Sequence, residues 1–111
     1  MSCVASHDYC RRSGDTAAEV IQLRIGGSPV DISTDTFLMR WDTRQNPAEG
    51  DVSTQIGTVA GATVVAADGT VSFTPPDPAV TDLVAGNYFY EIEWTEGGLV
   101  RTILSGRWDV L

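Results

Sequence analysis

Hydrophobic and polar residues alternate most clearly near the C-terminus, where every second position is aromatic or aliphatic: Tyr88, Tyr90, Ile92 and Trp94. A period of two is that of a β-strand with one buried face. The following sequence, Thr95-Glu96-Gly97-Gly98, predicts a turn, because glycine tolerates the positive φ of tight hairpins. Residues 87–110 are therefore predicted to form one long β-hairpin, which Gly106 interrupts near its end. So many aromatic side chains require a second sheet to cover them.

Weaker alternation predicts further strands at residues 18–25, 36–41, 55–59, 63–66 and 71–74, and a short extended piece at 30–32. Gly26-Gly27-Ser28-Pro29 predicts a turn, and Ala67-Asp68-Gly69-Thr70 predicts a type I′ hairpin turn. Residues 79–85 are compatible with one helical turn. About seven short strands and no long helix predict an all-β fold, an antiparallel immunoglobulin-like β-sandwich. The predicted core consists of Ile21, Leu23, Phe37, Met39, Trp41, Phe73, Tyr88, Tyr90, Ile92 and Trp94.

The length of 111 residues fits one domain. Residues 1–13 are polar without a regular pattern and are predicted to be an irregular N-terminal arm, with residues 14–111 forming the β-sandwich domain. No apolar run reaches the ~18 residues of a membrane span, so we expect no membrane insertion. The first residues lack the basic start and apolar stretch of a signal peptide, so we expect synthesis in the cytoplasm.

The net charge of −8 argues against nucleic acid as a partner, since phosphate binding needs clustered cations. The seven basic residues are all arginine. Arginine makes bidentate contacts and is enriched at protein interfaces, although arginine-biased codon usage would give the same composition. Among the arginines, Arg11, Arg12, Arg40 and Arg44 are predicted to bind partner proteins, because they belong to or border the arm and the polar loop Asp42–Asp51.

Candidate residues for chemistry are few. His7 is the one histidine, and its position in the predicted arm does not suit a catalytic base, which needs a rigid scaffold. Cys3, His7 and Cys10, with Asp8 as a fourth ligand, match no common zinc spacing, and the acidic residues of loop Asp42–Asp51 are too few for a typical calcium site. Cys3 and Cys10 could close a small loop, but an intracellular chain is expected to keep them reduced, and the sequence does not decide whether they are paired, free or metal-bound. The sequence therefore predicts no enzyme, and no catalytic, cofactor-binding or metal-binding residues.

Five landmarks follow one another along the chain: Gly14-Asp15-Thr16, Gly27 to Ser33, Asp68 to Phe73, Leu83 to Ile92, and Arg101 to Gly106. In this order they resemble the small β-sandwich domain at the N-terminus of upper baseplate proteins of tailed phages, and single-domain phage virion proteins of similar length. The resemblance spans residues 12–110. The sequence departs from the family pattern at Ser13, where arginine is usual, and at Ile32, where leucine is usual.

The resemblance implies a non-enzymatic structural protein of a tailed-phage virion, in the tail, the baseplate or the adjoining particle surface. Its partners would be other virion proteins, in a symmetric assembly with several copies, and it would be made in the host cytoplasm. A capsid decoration (cement) protein and a host-surface or carbohydrate-binding module on the same fold remain alternatives. Gly14, Asp15 and Thr16 are predicted to form a structural turn in which Asp15 accepts hydrogen bonds.

Overall fold

The computed structural model describes residues 8–48 and 50–111, and this part of the chain is mostly β-structure. The strands are β1 (Tyr9–Arg11), β2 (Glu19–Gln22), β3 (Arg24–Ile25), β4 (Ser28–Pro29), β5 (Thr36–Asp42), β6 (Gln55–Ala60), β7 (Ala62–Val65), β8 (Thr70–Phe73), β9 (Gly86–Glu96) and β10 (Leu99–Val110). A five-stranded sheet has the order β1-β10-β9-β5-β6, a three-stranded sheet has the order β2-β8-β7, and β3 pairs with β4 alone. The predicted all-β fold is thereby confirmed, and most of the strand pairs are antiparallel.

One hydrophobic core is shared by the two larger sheets. Alternate residues of β5 and β9 point into it, as the period of two predicted, and Val71 and Phe73 of β8 meet them from the smaller sheet. Most of the predicted core is buried, whereas Ile21, Leu23 and Tyr88 are partly buried. Trp108, whose side was not settled by the sequence, is 1% exposed.

The C-terminal hairpin forms as predicted, with β9 and β10 antiparallel over their lengths. Its turn contains Gly97 and Gly98, both with positive φ. The expectation that Gly106 interrupts the returning strand is wrong, because Gly106 pairs with Tyr90 inside β10. The pairing is instead irregular between Thr102 and Leu104.

The prediction of an irregular arm is wrong for three of its residues, because Tyr9–Arg11 form β1 and pair in parallel with Trp108–Val110. The ring of Tyr9 lies 5.1 Å from that of Tyr90 and 5.5 Å from that of Trp108. A three-residue strand is too short to show a period, and its partner lies at the other end of the sequence. The five-stranded sheet is therefore mixed rather than purely antiparallel.

The segment predicted as one strand at residues 18–25 is divided between β2 and β3, and Ile25 in β3 is 61% exposed. The extended piece at 30–32 joins no strand, although Ile32 is buried. Residues 79–85 form turns without an α-helix.

The predicted type I′ turn at Asp68-Gly69 is wrong, because that turn needs positive φ at both residues and only Gly69 has it. The chain instead makes a 3-10 turn at Ala66–Asp68, which Gly69 ends at φ 76°. A Cβ atom on Gly69 would lie 2.7 Å from the carbonyl oxygen of Leu23, so glycine is required here on both grounds.

Candidate functional site

A polar groove of about 220 Å³ lies on the outer face of the five-stranded sheet. Alternation along β5 and β9 places Arg40, Phe89, Glu91 and Glu93 on this face, opposite the core. The loop residues 43–48 and 50–54, which we call the wall loop, and the beginning of β10 form its walls. We treat this outer-face groove as the candidate site, because binding sites are usually concave and have a few convergent polar groups.

Arg40 holds the two glutamates at the floor of the groove. Its guanidinium donates hydrogen bonds to Glu93, with Nε 2.7 Å from Oε1, and its Nε lies 3.6 Å from Oε1 of Glu91. Glu91 and Glu93 follow each other at a spacing of two, so both face the groove from one strand. Burial raises the pKa of Glu91, the positive charge of Arg40 opposes this shift, and the negative charges of Glu93 and Asp42 add to it.

The wall loop is held in shape by a chain of hydrogen bonds. Buried Asp42 accepts them from the backbone N–H of Arg44 at 2.8 Å and from the hydroxyl of Thr54 at 2.6 Å. Arg44 in turn donates to Thr54 Oγ1 at 2.6 Å and to Asp51 Oδ2 at 2.8 Å. The hydrogen bond from Arg44, with further ones from Ser53, lowers the pKa of Asp51. The loop therefore presents an exposed ion pair in a fixed position.

The four arginines predicted to bind partners occupy different environments. Arg40 and Arg44 belong to the outer-face groove, whereas Arg11 is 6% exposed. Arg12 is exposed, and in the part of the chain that the structure describes its guanidinium has no hydrogen bond or ion pair. The structure thus brings together two of the four residues and separates the other two from the groove.

Arg11 links the two larger sheets. Its guanidinium donates to Glu19 of β2 at 2.5 Å and to the carbonyl oxygen of Ala17 at 2.7 Å, and it lies 4.8 Å from the ring centre of Trp108. These contacts leave little of its surface for a partner protein. The predicted location of Arg11 on an assembly surface is therefore corrected, because β1 carries the residue into the molecule.

The predicted turn at Gly14-Asp15-Thr16 lies one residue earlier, at Ser13-Gly14 between β1 and β2, and the N–H of Asp15 closes it by donating to the carbonyl oxygen of Arg12 at 3.0 Å. Gly14 has φ 89°, and its N–H donates to the carbonyl oxygen of Thr81. The carboxylate of Asp15 accepts a hydrogen bond from the N–H of Ala17 at 3.0 Å and lies 3.4 Å from Arg11. This is the type of contact expected of a short acidic side chain at a turn.

The candidate metal ligands are otherwise engaged where they are described. Asp8 accepts a hydrogen bond from the N–H of Arg107 at 2.9 Å. Cys10 is disulfide-bonded, so the expectation of reduced cysteine is wrong for this residue, while Cys3 and His7 lie outside the described residues. No group of three His, Cys, Asp or Glu side chains within residues 8–48 and 50–111 has the arrangement of a metal site. Glu49, the remaining acidic residue of loop Asp42–Asp51, is also outside the described residues.

Phe89, Glu91 and Glu93 had no predicted role, although alternation along β9 places all three on the face opposite the core. Beside Phe89, which is half-buried, the groove contains carboxylates, guanidinium groups and amides. Such a surface can accept and donate hydrogen bonds in fixed directions while an apolar group packs on the ring.

We expect Glu91→Gln to gain stability relative to the parent as the pH rises. The folded protein holds the Glu91 proton more tightly than the unfolded chain does, so the stability that Glu91 contributes falls as pH rises through its raised pKa. The two proteins should converge below about pH 4, where an ordinary glutamate is protonated. Urea unfolding from acidic to neutral pH measures the difference between them.

Glu96→Gln is the matched control, since Glu96 lies at the exposed end of β9 and pairs with Arg101. A pH-independent difference between Glu91→Gln and the parent would contradict the raised pKa.

A comparison with models of known protein families found no match, and a comparison with curated proteins found no significant one. No helix in the described part of the chain has the length and apolarity needed to cross a membrane.

Proposed function

We propose that the chain is a non-enzymatic structural protein of a tailed-phage virion, made in the host cytoplasm and incorporated into the tail, the baseplate or the adjoining particle surface. It acts by docking on other virion proteins, in several copies of a symmetric assembly. The ordered landmarks between residues 12 and 110 support this proposal. Three of their glycines, Gly14, Gly27 and Gly69, have the positive φ that explains why glycine stands there.

The proposal includes an immunoglobulin-like β-sandwich. The five-stranded and three-stranded sheets would be its two layers, with the shared core between them. The small pair of β3 and β4 would lie outside this arrangement.

The observation that carries the docking role is the internally bonded loop beside the outer-face groove. A loop that is already held in one conformation loses little conformational entropy when it binds a partner. Arg44 and Asp51 are 43% and 34% exposed at their side chains, so both can add contacts to a neighbouring protein. Arg12 supplies a further exposed guanidinium, as predicted for a partner-binding arginine.

Mass spectrometry of purified particles tests the proposal, using particles produced from the genome that encodes the chain. We expect the protein in several copies per particle. An Arg44→Ala/Asp51→Ala protein should fold but be incorporated at a much lower level. Arg24→Ala is the matched control, because Arg24 is exposed and donates to Gln22 and Gly27 within its own hairpin region. Particles that lack the chain would contradict the proposal.

Deleting the gene separates the two kinds of virion role. A tail or baseplate component is required for infective tails, so its loss should leave heads without functional tails. A capsid decoration protein should instead leave intact tails on heads that are less resistant to heat. Either phenotype supports a virion role only together with detection of the protein in purified particles.

Phe89 favours a second candidate function, a carbohydrate-binding module. A half-buried ring with carboxylates, amides and guanidinium groups around it can stack on the apolar face of a sugar while its hydroxyls are hydrogen-bonded. Binding to an array of bacterial surface glycans tests this role. Phe89→Ala should abolish binding, whereas Phe89→Tyr should preserve it; no glycan binding by the parent would exclude this candidate.

A further inference from the structure

An edge strand of the five-stranded sheet leads directly into an edge strand of the three-stranded sheet, so both edges lie on one side of the molecule. β6 ends the five-stranded sheet, β7 ends the three-stranded sheet, and Gly61 joins them. In the described part of the chain, neither strand is paired on its other side. We call residues 55–65 the free edge, since each strand has backbone N–H and C=O groups directed away from its sheet.

The free edge lacks charge and proline, two of the devices by which proteins usually prevent edge strands from pairing. Residues 52–67 contain no charged residue and no proline, although the chain has 22 charged residues in all (7 + 15). Lysine, other charges or proline normally interrupt exposed edges. The opposite side of the molecule has such charges, because Arg11 of β1 and Glu19 of β2 form an ion pair between the sheets.

β7 is the most accessible part of the free edge. All four of its residues are exposed, and Val64 and Val65 expose 57% and 45% of their surface. Threonine and valine favour extended backbone. Its pairing with β8 skips Val64, so this residue is a bulge, and shortness and this bulge are the only protection of the strand.

We propose that β7 pairs antiparallel with β7 of a second copy of this chain across a two-fold axis. The two three-stranded sheets then become one six-stranded sheet (3 + 3). A two-fold interface uses the same surface of both copies, so the free groups of one strand can satisfy those of the other. β-Branched side chains also pack well as cross-strand pairs.

The local absence of charge makes the free edge the part of the surface at which a second copy can approach. Two molecules that each carry −8 repel each other, and they can approach closely only where neither presents charge. Residues 52–67 meet this condition. A basic partner would be recognised through carboxylates, which this segment does not offer. The inference goes beyond the virion role, and it holds for the isolated protein.

Sedimentation equilibrium over a range of protein concentrations tests the proposal. The parent protein should form a dimer, and Val64→Lys and Val64→Glu should each weaken dimerisation by about tenfold or more, since like charges would face each other across the axis. Circular dichroism should show that both variants remain folded, because Val64 is exposed. Hydrogen exchange at β7 should slow as the concentration of the parent rises.

Val84→Lys is the matched control, since Val84 is 75% exposed and lies outside the free edge. It changes the net charge as Val64→Lys does, and it should leave dimerisation intact. The opposite charges of Val64→Lys and Val64→Glu separate an effect at the edge from one of total charge. A parent that stays monomeric, or a dimer that both Val64 variants retain, would overturn the proposal.

Discussion

A chain that begins at Arg12 is expected not to fold. The deletion removes β1 and with it the parallel pairing to Trp108–Val110, the ring of Tyr9 that lies against Tyr90 and Trp108, and Arg11. Loss of one partner of a buried ion pair alone costs about 3–5 kcal/mol, and the total stability of a domain is about 5–15 kcal/mol. An irregular arm outside the domain, as the sequence predicted for residues 1–13, could instead be deleted without loss of the fold. Near-ultraviolet circular dichroism and thermal melting are the measurements.

Arg11→Ala provides a less drastic version of the same experiment. We expect the free energy of unfolding to fall by about 3 kcal/mol at most. Solvent reduces this value, because Glu19 keeps 24% of its side chain exposed and the ion pair is partly screened. Arg12→Ala is the control, since its side chain is exposed and one residue away. A truncated chain with the melting temperature of the parent would show that β1 is dispensable.

The sequence predicted strands well where one buried face extends over several residues. Alternation over Thr36–Asp42 and Gly86–Glu96 identified both central strands and which side chains face the core. It also placed Glu91 and Glu93 on the opposite face, which is the floor of the groove. The period of two is a local property, so it can be read without knowing which strands are neighbours.

Contacts between distant segments could not be predicted in this way. Arg40 and Glu93 are 53 residues apart, and their contact depends on the register between β5 and β9. Arg11 is charged and lies in a polar segment, which indicates exposure, yet Glu19 and the ring of Trp108 surround it. Arg44 and Asp51 are only 7 residues apart in the sequence, but their ion pair requires the wall loop to turn back on itself.

Emptying the site of Trp94 is expected to destabilise the protein strongly. The side chain is 3% exposed and stacks on Phe37 with 6.3 Å between ring centres. Its Nε1 donates to Asp35 Oδ2 at 2.9 Å, and Arg101 lies 4.5 Å from its ring centre. Trp94→Ala should therefore lower the free energy of unfolding by about 3–5 kcal/mol, and urea denaturation measures it.

Trp94→Phe is the matched variant for this site. It keeps an aromatic ring against Phe37 and removes the N–H that Asp35 accepts, so it should cost less than Trp94→Ala. Leu99→Ala, at a residue 67% exposed beyond the hairpin turn, should have little effect. A Trp94→Ala protein that melts within a few degrees of the parent would contradict the inward orientation of this face of β9. The same result would argue against the hydrophobic core that β5, β8 and β9 share.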